Sequence, residues 1–236
     1  MTVATYERPE LAEVIPLLRR LSGDEKHETS GYDTLDVIWV LYDQILRVDP
    51  SRPDAVDRDR FLVSKGHGPH AYYAVLAAKG FFRLSWLDDL AGPNSPLGHH
   101  PDRTLVPGVE ISSGSLGHGL GLGVGVALGL RAQQTHTPRV YVLLGDAELD
   151  EGSNHEAIFF AGTTGLDSLT AIVVDNASAS HGWPGGIERR FTAEGWTGAT
   201  VDGPDHAGLA AALRGHTGHA PHAVVVRTGA AIGGGR

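Results

Sequence analysis

Apolar residues recur at helical spacing in the first part of the chain and give way to short unbroken runs further on. Leu11, Val14, Ile15, Leu17, Leu18 and Leu21 fall three or four apart, and Gly23 suits the end of the helix they predict. Leu35, Ile38, Leu41, Tyr42 and Ile45 mark one face of a second helix over 34–47, ended by Pro50 and Pro53. A third helix is predicted through 70–78, closed by Gly80. Residues 94–108 have loop composition, with Pro96, Pro101 and Pro107 close behind Pro93 and around the pair His99-His100. The Gly-rich segment 114–130 reads as a buried helix whose glycines let backbones approach closely. Beyond it the apolar runs 140–144, 169–174, 197–201 and 223–226 have strand length. Helical stretches at 155–161 and 207–213 separate them.

Strands alternating with helices predict an α/β fold, a mostly parallel sheet flanked by helices. No repeat or linker divides the 236 residues, so a single domain is expected, with a flexible Gly-rich tail over 229–236. Hydrophobic residues make up 41% of the chain, enough for a sizeable core. A formal net charge of -9 argues against nucleic-acid binding, which needs a basic surface. Without Cys there are no disulfides and no thiolate metal sites. The longest uncharged apolar run, 119–130, is too short for a bilayer span, and residues 1–10 lack the basic-then-apolar pattern of a signal peptide. The expectation is a cytoplasmic protein with no membrane partner.

In parallel α/β sheets ligands bind just beyond the carboxyl ends of the strands. Asp146 and Asn176 follow two such predicted strands, 30 residues apart, the length of one βα unit. Their carboxylate and amide oxygens are hard ligands suited to Mg2+, with Ca2+ as a substitute. The bland alternatives are a helix-capping Asp and a turn Asn. Glu148, Asp150 and Glu151 follow, and read equally as a solvated acidic helix start favoured by the helix dipole. The glycine run contains no Gly-x-Gly-x-x-Gly, so it supports close packing rather than dinucleotide binding.

The segment from Gly145-Asp146-Ala147-Glu148 through Leu149-Asp150-Glu151-Gly152 to Ala157, with Asn176 in Val173-Val174-Asp175-Asn176, resembles the thiamine-diphosphate motif of the transketolase family. Three further segments add to the resemblance: Ser64-Lys65-Gly66-His67-Gly68, His100-Pro101-Asp102-Arg103, and Ser113-Gly114-Ser115-Leu116-Gly117-His118-Gly119. His27 stands where that family has a Gly-His-Pro-Gly histidine, although the surrounding residues here are Lys26, Glu28 and Thr29. The resemblance implies a metal held by Asp146, Asn176 and the backbone carbonyl of Ser178, completed by two diphosphate oxygens and a water. It implies that the N–H of Ala147 donates to the diphosphate and that His67 contacts it. Gly114, Ser115, Leu116, Gly145 and Glu148 line the cofactor, and His27 and His100 face the substrate and move protons. For each histidine a structural role is the alternative. Ala147 replaces the usual second Gly of Gly-Asp-Gly, which is compatible with its role if φ stays negative. His99 replaces a usual Gly, and residues 227–233 lack the usual Lys-Thr-x-Lys-Gly.

Thiamine diphosphate with Mg2+ is thus the implied cofactor, and transfer of a two-carbon ketol unit from a ketose to an aldehyde the implied reaction. The resemblance is to the N-terminal subunit of a split transketolase. A separate chain would supply the pyrimidine-binding domain and its activating Glu, giving a dimer of heterodimers. Two alternatives stand beside it: a related acyloin or 2-oxo-acid conversion, and a non-catalytic partner subunit.

Overall fold

A computed structural model describes residues 9–21, 28–135 and 137–228. The chain runs through α1 (Leu11–Arg20), α2 (Glu28–Val40), β1 (Arg60–Val63), α3 (His70–Ala78), α4 (Gly119–Ala132), β2 (Val140–Gly145), α5 (Gly152–Thr163), β3 (Leu169–Asp175), α6 (Ile187–Thr192), β4 (Thr197–Asp202), α7 (His206–Leu213) and β5 (His222–Arg227). The strands form one sheet in the order β1-β2-β3-β5-β4, and every neighbouring pair is parallel.

Residues of one strand alternate between two cores because successive side chains leave a strand on opposite faces. Phe61, Val63, Tyr141, Leu143, Ile172, Val174, Val224 and Val226 pack with α1, α2, α3 and α7. Leu62, Val140, Val142, Leu144, Leu169, Ala171, Val173 and Ala223 pack with α4, α5 and α6. Burial on both faces explains why β2 and β3 read as apolar runs, interrupted in β3 only by the buried Thr170. Each fully buried aliphatic side chain contributes about 1.5–3 kcal/mol. Among the described residues no helix is long and apolar enough to cross a membrane.

The predicted α/β class and parallel sheet agree with this architecture, and three local expectations need correction. The second helix begins at Glu28, not at 34, and ends in a single π-helical turn at Leu41–Ile45. The glycine-rich helix begins at Gly119, because Gly114 (φ 127) and Gly117 (φ 81) take left-handed conformations that a helix excludes. Nor is that helix buried all round. Leu120, Gly123, Val124, Ala127 and Leu130 face the core, whereas a Cβ added at Gly121, Gly125 or Gly129 would meet nothing within 4 Å. Lastly β1, with only three apolar residues, and the short α6 were not predicted as separate elements.

Candidate functional site

The carboxyl ends of β1, β2 and β3 lie side by side, and each strand hands the chain to a loop carrying predicted site residues. Ser64 N and Lys65 N both donate to Leu143 O, at 2.9 and 3.1 Å, and Asp146 N donates to Val174 O at 3.0 Å. The ladder therefore continues one residue past each strand and fixes where the loops leave the sheet. Asp146 is buried, with 1% exposure. Its carboxylate accepts from Ser178 N (2.7 Å), Ser178 Oγ (2.6 Å) and Ala179 N (3.0 Å). This fold-back passes through Ala177 at φ 57, a left-handed conformation that costs a non-Gly residue about 1–3 kcal/mol. The loop after Asn176 is thus held against Asp146 at some expense in local strain. Ser178 turns its N–H and hydroxyl toward Asp146.

Glu148 is also 1% exposed, so the solvated reading of the acidic stretch fails for this residue. Asp150 is half-buried and Glu151 is exposed. Glu148 sits in the short 3-10 turn Ala147–Asp150, which aims its carboxylate inward at three loops. It accepts from Ser64 Oγ, from Gly117 N at 2.9 Å and from Gly145 N at 3.4 Å. Ser64 Oγ in turn accepts from Gly119 N at 2.9 Å. Burial pushes the Glu148 carboxyl above its ordinary range, against the opposing pull of Ser64, Gly117, Gly145 and Lys65. This carboxylate ties the Ser64 loop, the glycine turn and the Asp146 loop into one unit. Ala147, in the same turn, keeps a negative φ.

Glycines allow the loops to touch. A Cβ on Gly66 would lie 2.6 Å from both Gly114 N and Ser113 Oγ, and one on Gly114 would lie 2.6 Å from His100 Cδ2. One on Gly117 would strike Ser153 Oγ at 2.6 Å, and Ser153 Oγ donates to Gly117 O at 2.7 Å. His67 and His100 meet here edge to face, with ring centroids 4.9 Å apart. Two histidines separated by loops and a helix in sequence are thereby brought to one place. Tyr73 on α3 holds the His100 loop, its hydroxyl reaching Gly98 O at 3.0 Å and His100 O at 3.1 Å. Ser115 is exposed and Leu116 half-buried beside this turn. Along Gly145 runs the aliphatic stem of Lys65, 3.5 Å from where a Cβ would stand. His27 lies outside the described residues.

Sequence reasoning missed Tyr73, the linking role of Glu148, and a brace on the far side of the Asn176 loop. There Trp183 packs 5.0 Å from His155 on α5, and the Arg190 guanidinium from α6 lies 5.2 Å from the Trp183 ring. Most of these contacts, such as Tyr73 with His100, Glu148 with Ser64 and Trp183 with His155, join residues distant in sequence, so no local spacing signals them.

The residues present fit a diphosphate and a hard cation. Ser113 Oγ is buried without a hydrogen-bond partner among the described residues, in the seam between Gly66 and Gly114. A polar group so placed is one that a diphosphate oxygen would satisfy. The candidate metal set contains one carboxylate, one amide and one carbonyl, all oxygen donors. Among the described residues no three His, Cys, Asp or Glu side chains gather into a metal cluster, so the remaining ligands would have to come from the cofactor and water.

Residues 22–236 match the family described as transketolase, thiamine diphosphate binding domain. The chain is 60% identical over 209 residues to Ferredoxin fas2 of Rhodococcoides fascians, covering 89% of this chain and 69% of that protein. It is 36% identical over 184 residues to the 6-deoxy-6-sulfo-D-fructose transketolase subunit SqwG of Clostridium sp. (strain MSTE9), covering 75% of this chain and 66% of that one. With an apulose-4-phosphate transketolase subunit of Phocaeicola vulgatus it shares 36% identity over 210 residues, covering 86% and 74%. Among solved structures, transketolase from Leishmania mexicana superposes with a TM-score of 0.78 at 26% identity, over 94% of this chain and 37% of that one. A transketolase mutant from Pichia stipitis gives 0.81 at 25% identity, over 95% and 36%. The chain therefore spans little more than a third of these solved transketolases.

Proposed function

The chain belongs to the transketolase family, and we propose that it is the diphosphate-anchoring subunit of a two-chain, thiamine-diphosphate-dependent enzyme that transfers a two-carbon ketol unit. The observation that carries this reading is the meeting of Asp146, the Asn176 loop, Gly114 and the His67–His100 pair at the ends of adjacent parallel strands. In this reading Mg2+ is held by Asp146, Asn176 and the carbonyl of Ser178, with Ca2+ as a substitute. Ser178 presents its N–H and hydroxyl to Asp146, and its carbonyl would join the cation through a change in the backbone of this loop.

Thiamine diphosphate supplies the nucleophilic carbon that accepts and passes on the ketol unit. This chain anchors and orients. The N–H of Ala147 and the Ser113 hydroxyl receive diphosphate oxygens, and His67 hydrogen-bonds the diphosphate. His100 holds a substrate hydroxyl or carbonyl oxygen at a ring nitrogen and carries its proton, a role that an imidazole, with one donor and one acceptor nitrogen, can fill. His27 is proposed for the same side of the substrate. Gly114, Ser115 and Leu116 form the wall between diphosphate and substrate, and Glu148 holds that wall to the metal loop.

The proposed partner is a separate chain with the pyrimidine-binding domain, in a dimer of heterodimers. The names of two relatives as transketolase subunits support a divided enzyme. So does the face on α4 and α5 where Leu122 (48% exposed), Phe159 (57%) and Phe160 (44%) stand beside the open glycines. The test is ketol transfer between a ketose and an aldehyde, measured for this chain alone and after mixing with a pyrimidine-domain chain. Activity only in the mixture is expected; full activity of the pure chain alone would refute the divided enzyme.

A second reading, conversion of a 2-oxo acid with electrons passed to an iron–sulfur carrier, is favoured by the 60% identical relative named a ferredoxin. The chain has no Cys and offers no thiolates for a cluster, so the carrier would be held elsewhere. Carbon dioxide release with reduction of an added ferredoxin would establish it, and ketol transfer without either would exclude it.

A further inference from the structure

At the opposite end of the sheet, where the strands begin, a cavity of about 230 Å³ is lined by Arg47, Asp59, Arg139, Tyr141, Arg214 and His216. Arg47 and Asp59 come from the connection between α2 and β1, Arg139 immediately precedes β2, and Arg214 and His216 follow α7. Three guanidinium groups thus converge from three connections, around a single carboxylate.

That carboxylate is already saturated. Asp59, 2% exposed, accepts from Arg47 Nη2 at 2.6 Å, Arg47 N at 2.9 Å and Arg139 N at 2.8 Å. The other two guanidiniums are held only by backbone carbonyls. Arg139 Nη1 donates to Asp167 O at 3.1 Å and Arg214 Nη2 to Gln44 O at 2.9 Å. No ion pair joins either to a carboxylate among the described residues. Each is oriented through one nitrogen and keeps its remaining donors for the cavity. The local excess of two positive charges stands out on a chain of net charge -9. Burial and Arg139 hold His216 below its ordinary value, with Asp167 pulling weakly the other way.

We propose that this cavity binds a small phosphate dianion, with Arg139 and Arg214 as its charge partners and Arg47 locked to Asp59 as its floor. Planar guanidiniums fixed in place match phosphate oxygens bidentately, which mobile surface lysines do not. Such a ligand would fasten the α4–β2 and α7–β5 connections to each other and, through the carbonyls of Asp167 and Gln44 that already hold the arginines, to the α5–β3 and α2–β1 connections. The site is independent of the cofactor reading, because the strands separate it from Asp146 and Asn176.

Binding of inorganic phosphate and of glycerol 3-phosphate to the full chain is measured by calorimetry with Mg2+ removed, against chloride at matched ionic strength. Saturable binding is expected, weakened about tenfold in Arg214→Gln and again about tenfold when Arg139→Gln is added. Arg214→Gln removes one exposed hydrogen bond, so its melting temperature without phosphate should match the parent and report an intact fold. Tighter binding of the ester identifies an organic phosphate as the natural ligand, and tighter binding of inorganic phosphate identifies the free ion. Absence of saturable binding, or equal affinity in Arg214→Gln and the parent, would overturn the proposal; equal affinity would mean that the anion sits elsewhere, such as the cofactor cradle.

Discussion

Nearly inaccessible carboxylates lie at both ends of the parallel sheet, Asp59 at the amino end and Asp146 and Glu148 at the carboxyl end, and Asp59 and Glu148 are stabilised in different ways. At the amino end Asp59 is paired with a guanidinium and two N–H groups. At the carboxyl end Glu148 accepts from N–H and O–H groups of three loops, with the Lys65 cation acting on it from nearby. The first arrangement satisfies a charge locally and leaves surplus cations beside it. The second draws three loops inward and leaves Asp146 and the histidine pair presented beyond the strand ends. In parallel sheets the carboxyl end is the one whose loops can be shaped for chemistry. Here glycines do that shaping, whereas the amino end is built from arginines anchored on carbonyls.

This contrast can be broken at either end. The largest loss of stability is expected for Asp59→Ala, which leaves Arg47 N and Arg139 N without their acceptor. Urea unfolding should show a loss of about 2–5 kcal/mol, from two N–H groups left unpaired. Full stability in that variant would mean that the amino end does not depend on Asp59.

His100→Ala should lower turnover of the assembled enzyme by about a hundredfold with cofactor affinity retained. His67→Ala should weaken cofactor binding as well. Equal, small effects from both would return the pair to a packing role.

Glu148→Ala removes the acceptor shared by Ser64, Gly117 and Gly145, and should cost about 1–3 kcal/mol in the same unfolding assay. If the comparison is right, this variant also loosens the glycine turn and the Asp146 loop, measured as faster proteolysis between residues 113 and 118 and between 146 and 151. Unchanged cleavage would show that the three loops are held by something else.

The smallest effect concerns His222, which starts β5 with its ring between Thr197 Oγ1 (2.7 Å) and Ala212 O (3.0 Å). Burial depresses its pKa from the ordinary 6.5. A depressed value means that the unfolded chain binds the proton more readily, so stability falls as pH drops below 6.5 until the folded-state value is reached. His222→Gln should flatten that part of the stability profile, and an unaltered slope would assign it to other groups.

What could be read from the sequence was local. Asp146 and Asn176 were placed at strand ends because β2 and β3 are buried on both faces and show as plain apolar runs. The Ser-Lys-Gly-His and glycine-rich segments were readable as short motifs. Glu148 was ambiguous, because its partner Ser64 is 84 residues away and only the fold shows which way the carboxylate points. The strand β1 was hidden by its length, four residues with no room for periodicity. The exposed side of α4 was misjudged because glycine carries no signal of polarity: Gly123 packs on Val142 while Gly121 and Gly125 face open space. The arginine cavity was invisible for the same reason as Tyr73, being assembled from connections far apart in the chain.

The central claim is that Asp146 anchors a metal-bound diphosphate at the carboxyl end. Phosphorus NMR of thiamine diphosphate titrated with the chain tests it directly, since broadening reports even weak anchoring without the partner. Both phosphorus resonances should shift and broaden with the parent chain and Mg2+, and neither should respond with Asp146→Asn or after chelation. The same broadening in Asp146→Asn, or a response in the parent that ignores Mg2+, would contradict the account.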